Sequence, residues 1–396
     1  MNHIHFPIET PYSLCTYQFL GELSMINLYE ASENPINNVG KKAYNLSLLM
    51  RNEMNVKEGR VLTAQDISSG FLLDSSNLLD SLKNDVYAVR SSGIGEDSRE
   101  FSWAGQFLTL LNIKKEYLSD AIARVIYHSH SSSGLRLYSR FASNQPSHDT
   151  SPTLAVIIQE MVIPLYSGVI FTRNPVDGSN HLIIEVFKGF GESLASGRKT
   201  PKRYIYDYFS QRFIETKPNG IQLDEPTLRE LLNVANSIKH IFQCDQDIEF
   251  SIESSTGKLF INQARPVTTR RIDDRQPSQS DSQQEIRGGI AASAGLVRGQ
   301  VVMAQTAHDK QAMDLLSRDT VLVTKFTDPE FIPMLLKLMN GGALVTEVGG
   351  MLSHAAIVAR ELGITAVVGV PQITEILRTG QLVEVDGDRG HIRVLN

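Results

Sequence analysis

The residue of this sequence best suited to chemistry is a histidine that follows two glycines and a serine. It lies in the stretch GGMLSHAAIVAREL, directly after the apolar strand pattern GALVTEV. The segment SHAAIVAREL predicts a helix with Ser353 as its N-cap and Gly363 at its C-terminal end. His354 then takes the first helical position, where backbone N–H groups and the positive end of the helix dipole stabilise an anion. A phosphorylated imidazole would be stabilised there, and the glycines would let the backbone approach a reacting phosphate.

From these residues alone, two other interpretations of His354 stay open. One is an exposed histidine at a helix start, because short motifs of this kind also occur by chance. The other is a metal ligand, although the predicted helix has no second His, Cys or carboxylate one turn away.

A second candidate for phosphate chemistry is the stretch VYAVRSSGIGEDSREFSWAGQFLTLLN, residues 86–112. A strand pattern leads into Arg90, Ser91 and Ser92 and then into a glycine-containing loop. These residues supply a cation, hydroxyl groups and backbone N–H groups for phosphate oxygens. The stretch is no Walker A loop, because no Gly-Lys-Ser/Thr follows. A surface turn between two strands is the alternative interpretation.

A third candidate is the stretch DIEFSIESSTGKLFINQARP, which predicts a β-hairpin. Gly257 is expected in the left-handed position of a three-residue loop, with Ser254 paired to Lys258.

That register would place Glu249 opposite Gln263 and Asp247 opposite Arg265, with all four side chains on one face. A carboxylate beside an amide oxygen suits Mg²⁺ held jointly with ATP phosphates. Arg265 suits a phosphoryl group in transfer. The alternative is a solvated polar face with an ordinary cross-strand ion pair.

The histidine stretch, extended to GGMLSHAAIVARELGITAVVGV, resembles the phosphohistidine swivelling domain of phosphoenolpyruvate synthase, pyruvate phosphate dikinase and rifampin phosphotransferase. The segments IAASAGLVRGQVV and FTDPEFIPML resemble the same domain. Leu352 and Thr365 stand where this family usually has Thr and Pro. The resemblance implies that His354 carries the phosphoryl group.

The other two candidates resemble the ATP-grasp nucleotide-binding domain of that family, as do IIQEMV with SGVIFTRNP, GFGESLASGRKTPKRY and NVGKKAYNL. Lys41 replaces a family glycine, and the interval from Lys42 to Arg90 is shorter than usual. The resemblance implies ATP and Mg²⁺ as cofactors, with Arg90 and Arg265 acting in catalysis beside the histidine. The implied nucleotide contacts are phosphates at Lys42, Arg90, Ser91, Arg173 and Arg265, adenine near Gln159, Glu160 and Val162, and Mg²⁺ at Glu249 and Gln263.

The elements that must position these residues predict an α/β (α+β) chain in two domains. Residues 273–285 lack large apolar residues and predict a flexible linker. We expect an unassigned segment at 1–37, an ATP-grasp domain at 38–272 and a small α/β swivelling domain at 286–396. The apolar run 154–171 predicts two buried strands joined by a turn at 164–167. Helices are predicted at 42–50 and 226–242, and strands at VYAVR, LAVIIQEMV, GVIFT, HLIIEVF, DIEFSIE, KLFINQ, GQVVMAQ, TVLVTKF, GALVTEV, AVVGV and LVEVDG.

Composition limits the classes of partner. The net charge of −6 comes without a basic block, so we expect no nucleic-acid partner. Gln159, Glu160 and Pro164 interrupt the most apolar run, so we expect no membrane span. Two widely separated cysteines and a start without a signal-peptide pattern favour a cytoplasmic protein.

The sequence thus predicts an ATP-dependent phosphotransferase of dikinase type. The ATP β-phosphoryl group would pass to His354 and then to a small-molecule acceptor, releasing AMP and phosphate. Family members usually have a third domain for the acceptor or donor, and no such domain is recognisable here. One alternative is a phosphocarrier subunit that passes the group to a partner protein supplying the missing domain. A second alternative is a degenerate chain that binds nucleotide without reacting.

Overall fold

The computed structural model describes residues 25–68, 82–93, 108–131, 154–190, 201–215, 221–267 and 285–395. These residues form three β-sheets with helices packed against them. No helix within these ranges combines the length and the apolar character that crossing a membrane requires. The predicted α/β class is confirmed.

The first sheet has five antiparallel strands in the order β1-β2-β5-β3-β4. Its strands are β1 (Ile26–Asn27), β2 (Gly59–Leu62), β3 (Val86–Gly93), β4 (Thr109–Lys114) and β5 (Leu154–Glu160). Its helices are α1 (Ile36–Arg51), α2 (Ala64–Ser68) and α3 (Leu118–Ser131), with short 3-10 helices at Leu28–Glu33 and Lys115–Tyr117. The strand β5 is almost wholly buried, as its continuous apolar run requires when both faces are covered.

The second sheet has six antiparallel strands in the order β11-β10-β6-β7-β8-β9. Its elements are β6 (Pro164–Phe171), β7 (His181–Lys188), β8 (Lys202–Asp207), β9 (Arg212–Glu215), α4 (Glu225–Phe242), β10 (Gln246–Glu253) and β11 (Leu259–Pro266). Helix α1 shares one apolar core with both sheets, since Leu46 belongs to the same buried cluster as Ile157 of the first sheet and Ile248 of the second. This common core holds the two sheets against one another.

The chain passes from the first sheet to the second at residues 161–163. The predicted turn at 164–167 is wrong, because those residues already begin β6. Pro164 fits the first position of a strand, where its missing N–H group interrupts no ladder. The two strands predicted from the apolar run are real, but each belongs to a different sheet, so they form no hairpin.

The third sheet has eight strands in the order β12-β19-β18-β14-β15-β16-β17-β13, with parallel pairing from β14 to β17. Its strands are β12 (Glu285–Ile286), β13 (Ile290–Ser293), β14 (Leu296–Met303), β15 (Thr320–Thr324), β16 (Ala343–Thr346), β17 (Thr365–Val368), β18 (Leu382–Asp386) and β19 (His391–Leu395). Its helices are α5 (Lys310–Leu315), α6 (Ile332–Lys337), α7 (His354–Leu362) and α8 (Ile373–Ile376), with a 3-10 turn at Pro329–Phe331. Apolar cores lie on both faces of the sheet, as expected for parallel strands.

All eleven predicted strands and all three predicted helices are present. Two segments differ from their predicted assignment. Leu28 and Ala31, from the segment left unassigned, are fully buried in the core around α1. Glu285, placed in the linker by the sequence, pairs with Arg393 in the third sheet. The remainder of the predicted linker lies outside the described residues, and the predicted domain boundaries stay predictions.

Candidate active site

Arg90 ties the two antiparallel sheets together. The residue lies on β3 and is buried. Its Nη1 donates to Gln159 Oε1 on β5 at 3.0 Å and to the carbonyl oxygen of Asn262 on β11 at 2.6 Å. Its Nη2 donates to Gln263 Oε1 at 3.3 Å. A planar guanidinium with several donors can hold three acceptors from two strands at once, so the predicted site residues Arg90, Gln159 and Gln263 form one cluster.

A β-bulge in the predicted hairpin supplies one of these acceptors. The register of β10 and β11 shifts by one residue between Glu249 and Phe250, which makes Asn262 the extra residue. A bulged residue leaves the regular ladder, and the Asn262 carbonyl turns to Arg90 instead. Asn262 was not among the predicted site residues, because no glycine in the sequence marks the bulge.

The turn of the hairpin also differs from the prediction. Glu253 donates its N–H to the carbonyl of Lys258 at 2.9 Å, so the loop has four residues and the predicted pairing of Ser254 with Lys258 is wrong. Gly257 has φ of 69°, as predicted for a left-handed loop position. The one-residue error near the turn and the bulge cancel each other farther along the hairpin.

The predicted cross-strand pairs are therefore confirmed: Glu249 lies opposite Gln263, and Asp247 opposite Arg265. Arg265 donates from both Nε and Nη2 to Asp247 Oδ2 at 2.9 Å, and both residues are buried. Burial raises the pKa of the Asp247 carboxyl, although Arg265 lowers it in part. The Oδ1 atom of Asp247 is buried with no hydrogen-bond partner among the described residues. Asp247 thus fixes the position of Arg265.

Glu249 and Gln263 fit a magnesium ion by their chemistry. They offer a half-buried carboxylate and an amide oxygen on adjacent positions of one sheet face. Within the ranges that the structure describes, no cluster of three or more His, Cys, Asp or Glu side chains could hold a metal ion. Mg²⁺ commonly takes one or two protein oxygens and completes its shell with phosphates and water, so the two residues could hold the ion jointly with a nucleotide.

Lys42 approaches the same strand from α1. Its Nζ donates to the carbonyl of Ser91 at 3.0 Å. The close approach depends on Gly40, where a Cβ atom would lie 2.2 Å from the carbonyl oxygen of Ser92. The Ser91 hydroxyl donates to the carbonyl of Leu108 at 3.1 Å. The structure thus brings Lys42 beside the strand of Arg90, whereas the Ser91 hydroxyl is directed to Leu108.

The three residues predicted near adenine lie where the chain crosses between the sheets. The Gln159 side chain is held on both sides, since its Nε2 also donates to the carbonyl of Lys57 at 3.1 Å. Val162 is buried, and burial raises the pKa of the Glu160 carboxyl, with Glu58 adding to the effect. Their contact with adenine stays a prediction.

Arg173 takes part in a separate ion pair. Its Nε donates to Asp245 Oδ2 at 2.7 Å and its Nη1 to the carbonyl of Gly178 at 2.8 Å. These bonds hold the guanidinium at the start of β10. A phosphate contact from Arg173 stays a prediction.

The predicted geometry of the histidine helix is confirmed. The helix α7 begins at His354, the Ser353 hydroxyl accepts from the Ala356 N–H at 3.3 Å, and Gly363 ends the helix at φ of 67°. His354 is only 3% exposed, so the interpretation as an exposed histidine is wrong. Burial lowers the pKa of His354 to about 3, which keeps the imidazole neutral near pH 7.

Thr327, which was not among the predicted site residues, contacts one nitrogen of this imidazole. Its Oγ1 lies 3.0 Å from His354 Nδ1. With the ring proton on Nδ1 and donated to Thr327, the lone pair of the neutral ring lies on Nε2. The stretch FTDPEFIPML contained Thr327, but only the fold brings it to the histidine.

Helix α7 packs against the hairpin that carries Arg265. Ile357 and Arg360 of α7 line a small cavity together with Asp247 and Arg265. Phe171, Pro175 and Val267 complete the lining. The structure thus brings the two halves of the predicted site, the histidine helix and the hairpin predicted to bind phosphate, to one place.

Two family models match the two parts of the chain that contain the hairpin and the histidine helix. Residues 72–221 and 211–286 match the family described as pyruvate phosphate dikinase, AMP/ATP-binding domain. Residues 316–390 match the family described as PEP-utilising enzyme, mobile domain. The first family match contains the hairpin of β10 and β11, and the second contains the histidine helix α7.

Curated relatives carry one recurring name. A probable phosphoenolpyruvate synthase of Archaeoglobus fulgidus is 32% identical over 337 residues, which are 77% of this chain and 43% of that protein. The phosphoenolpyruvate synthase of Aeropyrum pernix is 32% identical over 363 residues, 76% of this chain and 43% of that protein. The phosphoenolpyruvate synthase of Escherichia coli is 30% identical over 353 residues, with shares of 78% and 43%. The chain spans about two fifths of the length of these relatives. It belongs to the family of pyruvate phosphate dikinase and phosphoenolpyruvate synthase.

Proposed function

We propose that this chain is an ATP-dependent phosphotransferase of dikinase type that works through a phosphohistidine at His354. The β-phosphoryl group of ATP passes to His354 and then to a small-molecule acceptor, with release of AMP and phosphate. The observation that carries the proposal is the packing of α7 against the Arg265 hairpin, in a chain of the dikinase family.

In the first transfer, His354 Nε2 is the nucleophile. Its lone pair attacks the β-phosphorus, the bond from that phosphorus to the oxygen bridging to the α-phosphorus breaks, and AMP leaves with the oxygen. The imidazole then carries the β- and γ-phosphoryl groups together. Water attacks the γ-phosphorus, the bond between that phosphorus and the bridging oxygen breaks, and inorganic phosphate and a proton are released to solvent. One phosphoryl group stays on His354.

The residues around the transferring phosphoryl group supply positive charge or hold the reacting groups in place. Arg90 and Arg265 orient the phosphates and offset the charge that develops on their oxygens, because phosphoryl transfer depends mainly on positioning and electrostatics. Lys42 adds a cation from α1. Asp247 holds Arg265 in place, and Thr327 holds the imidazole.

Glu249 and Gln263 are the proposed holders of Mg²⁺. When bound, the ion would neutralise phosphate charge. A two-residue oxygen set is sufficient because ATP phosphates and water fill the remaining positions.

The test is to mix the purified chain with Mg-ATP at neutral or alkaline pH, since phosphohistidine is acid-labile. Intact mass and nucleotide analysis should give one added phosphoryl group and AMP. His354→Ala should lose both. His308→Ala is the matched control, because His308 lies in the same part of the chain and is 80% exposed; it should retain both.

The products separate the alternatives. ADP without labelling of the protein would contradict the proposal and indicate direct kinase or ligase chemistry. Labelled protein that discharges only to another protein would support the phosphocarrier alternative. A first transfer that requires added phosphate would identify phosphate, in place of water, as the acceptor of the γ-phosphoryl group.

A further inference from the structure

Arg360 lies on the same helix as His354, and its buried side chain has one donor to spare. The two terminal nitrogens are bound to backbone carbonyls: Nη1 donates to Ala292 at 3.0 Å and Nη2 donates to Met351 at 2.7 Å. These bonds fix the plane of the guanidinium, because its donors form a rigid fork. The remaining donor, Nε–H, is buried and has no acceptor among the described residues.

Asp247 of the hairpin has a matching spare acceptor. Its Oδ2 accepts from Arg265, whereas its Oδ1 is buried with no hydrogen-bond partner in the described part of the chain. Asp247, Arg265 and Arg360 line one cavity of about 10 Å³ between α7 and the hairpin. Buried polar groups are nearly always hydrogen-bonded, so a spare donor and a spare acceptor at one cavity point to a shared partner.

Packing and charge both bring Arg360 close to Asp247. The Arg360 guanidinium lies 6.0 Å from the ring centre of Phe171, and Phe171 pairs with Asp247 across β6 and β10. Burial lowers the pKa of Arg360 to about 10, and the charge of Asp247 opposes this shift. Burial raises the pKa of Asp247, and Arg265 and Arg360 act in the opposite direction. Arg360 is therefore a cation near pH 7 whose charge acts on the Asp247 carboxylate.

One water molecule fits this cavity by size and by chemistry. A volume of about 10 Å³ corresponds to about one water, which needs at least two polar partners. Arg360 Nε supplies a donor from the helix, and Asp247 Oδ1 supplies an acceptor from the hairpin. A water that accepts from the first and donates to the second satisfies both buried groups.

We propose that Arg360 is a positioning residue for the phosphoryl transfer and acts on Arg265 through this water and Asp247. The inference rests on the proposed function of Arg265 at the ATP phosphates. Helix α7 then brings two groups to the nucleotide site: the nucleophile His354, and the residue that completes the support of Arg265. Cleavage of ATP is thereby coupled to the histidine helix, because Arg265 is fully held only while α7 packs against the hairpin.

The rate of AMP formation in a single turnover of the full chain tests this function. Arg360→Lys keeps the cation but lacks the Nε–H donor. The rate should fall about tenfold, the kinetic equivalent of one hydrogen bond, while the Kd for Mg-ATP stays unchanged. An unchanged rate would overturn the inference. A parallel loss of Mg-ATP binding would also overturn it, because it would indicate a general structural role.

Arg298→Lys is the matched control. Arg298 Nε also donates to a buried carboxylate, that of Glu384 at 2.8 Å, but between β14 and β18 of the third sheet. This variant should leave both the rate and the Kd unchanged. Equal losses in Arg298→Lys and Arg360→Lys would contradict a specific role of Arg360.

A double-mutant cycle separates coupling from independent damage. Asp247→Asn can keep an oxygen acceptor for Arg265 and place an amide donor where Oδ1 stands, so it breaks the link to Arg360 from the other side. Combined with Arg360→Lys, it should slow AMP formation no more than the slower single variant does. Effects that multiply would contradict a shared path.

The NMR signals of the arginine Nε–H groups test the link without any reaction. The Nε–H of Arg265 is bonded to Asp247 and should exchange slowly with water in the wild-type protein. Arg360→Lys should speed this exchange by on the order of tenfold, and Arg298→Lys should not. Unchanged exchange in Arg360→Lys would overturn the inference.

The reverse experiment keeps the test decisive if Arg360→Lys does not fold. Asp247→Asn should shift the Nε–H signal of Arg360, and an unchanged signal would overturn the inference. Wild-type protein that forms no phosphohistidine would contradict the proposed function. The two NMR comparisons would still decide whether Arg360 and Arg265 are linked through Asp247.

Discussion

At the scale of single residues, the environment of His354 combines burial with one directed hydrogen bond. Burial removes the hydration that a protonated imidazole needs, so the ring is neutral and has a lone pair. Thr327 engages Nδ1 at 3.0 Å. If the ring donates its Nδ1 proton to Thr327, the nucleophilic lone pair lies on Nε2 and the hydrogen bond orients the ring.

Thr327→Val tests this assignment, because valine keeps the shape of threonine and removes the hydroxyl. The rate of AMP formation in a single turnover should fall about tenfold, the kinetic equivalent of one hydrogen bond. ATP affinity should be unchanged. Thr306→Val is the control at an exposed position. An unchanged rate in Thr327→Val would show that the hydroxyl does not orient the ring.

The pH dependence of stability should contain a contribution from His354. Its pKa is about 3 in the folded protein and 6.5 as the ordinary value, so below pH 6.5 only the unfolded chain takes up the proton. The stabilisation from a neutral His354 is therefore complete above pH 6.5 and falls toward pH 3, by up to about 1.4 kcal/mol per pH unit. Thermal unfolding at pH 7.5 and 5.5 should show a larger loss for wild type than for His354→Asn. Parallel losses would contradict the shift.

At the scale of elements, the site depends on β3, β5 and the hairpin of β10 and β11 meeting around one guanidinium. The bulge at Asn262 turns a backbone carbonyl out of the ladder and toward Arg90. Gln159 and Gln263 supply the other two acceptors. Arg90 therefore links the first sheet to the second.

Arg90→Lys should weaken this link, because an ammonium cannot reproduce the planar fork. The free energy of unfolding should fall by about 2 kcal/mol, as expected for lost hydrogen bonds to a charged group. Urea denaturation measures the change. Arg212→Lys, at an exposed position of β9, should be neutral. A neutral Arg90→Lys would mean that the three acceptors do not hold the sheets together.

At the scale of the whole molecule, the cores divide the chain into two bodies that meet at α7. One body is built around α1 and α3 with the first two sheets, and the other around the third sheet. They are joined by apolar side chains of the second sheet packed against Met351, Leu352 and Ile357, by the hydrogen bond from the Met351 N–H to Glu185, and by the cavity beside Arg265. We therefore expect nucleotide binding to stabilise the body that contains β10 and β11 more than the body built around the third sheet.

A non-hydrolysable ATP analogue with Mg²⁺, at about 100 times its Kd, should add about 2.7 kcal/mol to the stability of the body that binds it. Hydrogen exchange should slow in β10 and β11 and stay unchanged in β18 and β19. Arg265→Ala should abolish the difference. Uniform slowing of all strands, or slowing confined to β18 and β19, would place the nucleotide elsewhere.

The sequence by itself determined the elements and the local geometry of the site. The apolar strand patterns, the cap at Ser353 and the glycine at 363 predicted the histidine helix correctly. Strand alternation predicted the pairs Glu249–Gln263 and Asp247–Arg265. These features depend on neighbours within about twenty residues, where periodicity and backbone preference act directly.

Only the tertiary structure decided which distant residues meet. Thr327 at His354, the Asn262 carbonyl at Arg90, and Glu185 at the Met351 amide join residues far apart in sequence. The burial of His354 likewise follows from packing between elements, since a histidine at a helix start is exposed in isolation. Contacts of this kind depend on packing between elements and on side-chain bonds across it, for which a single sequence has no periodic signal.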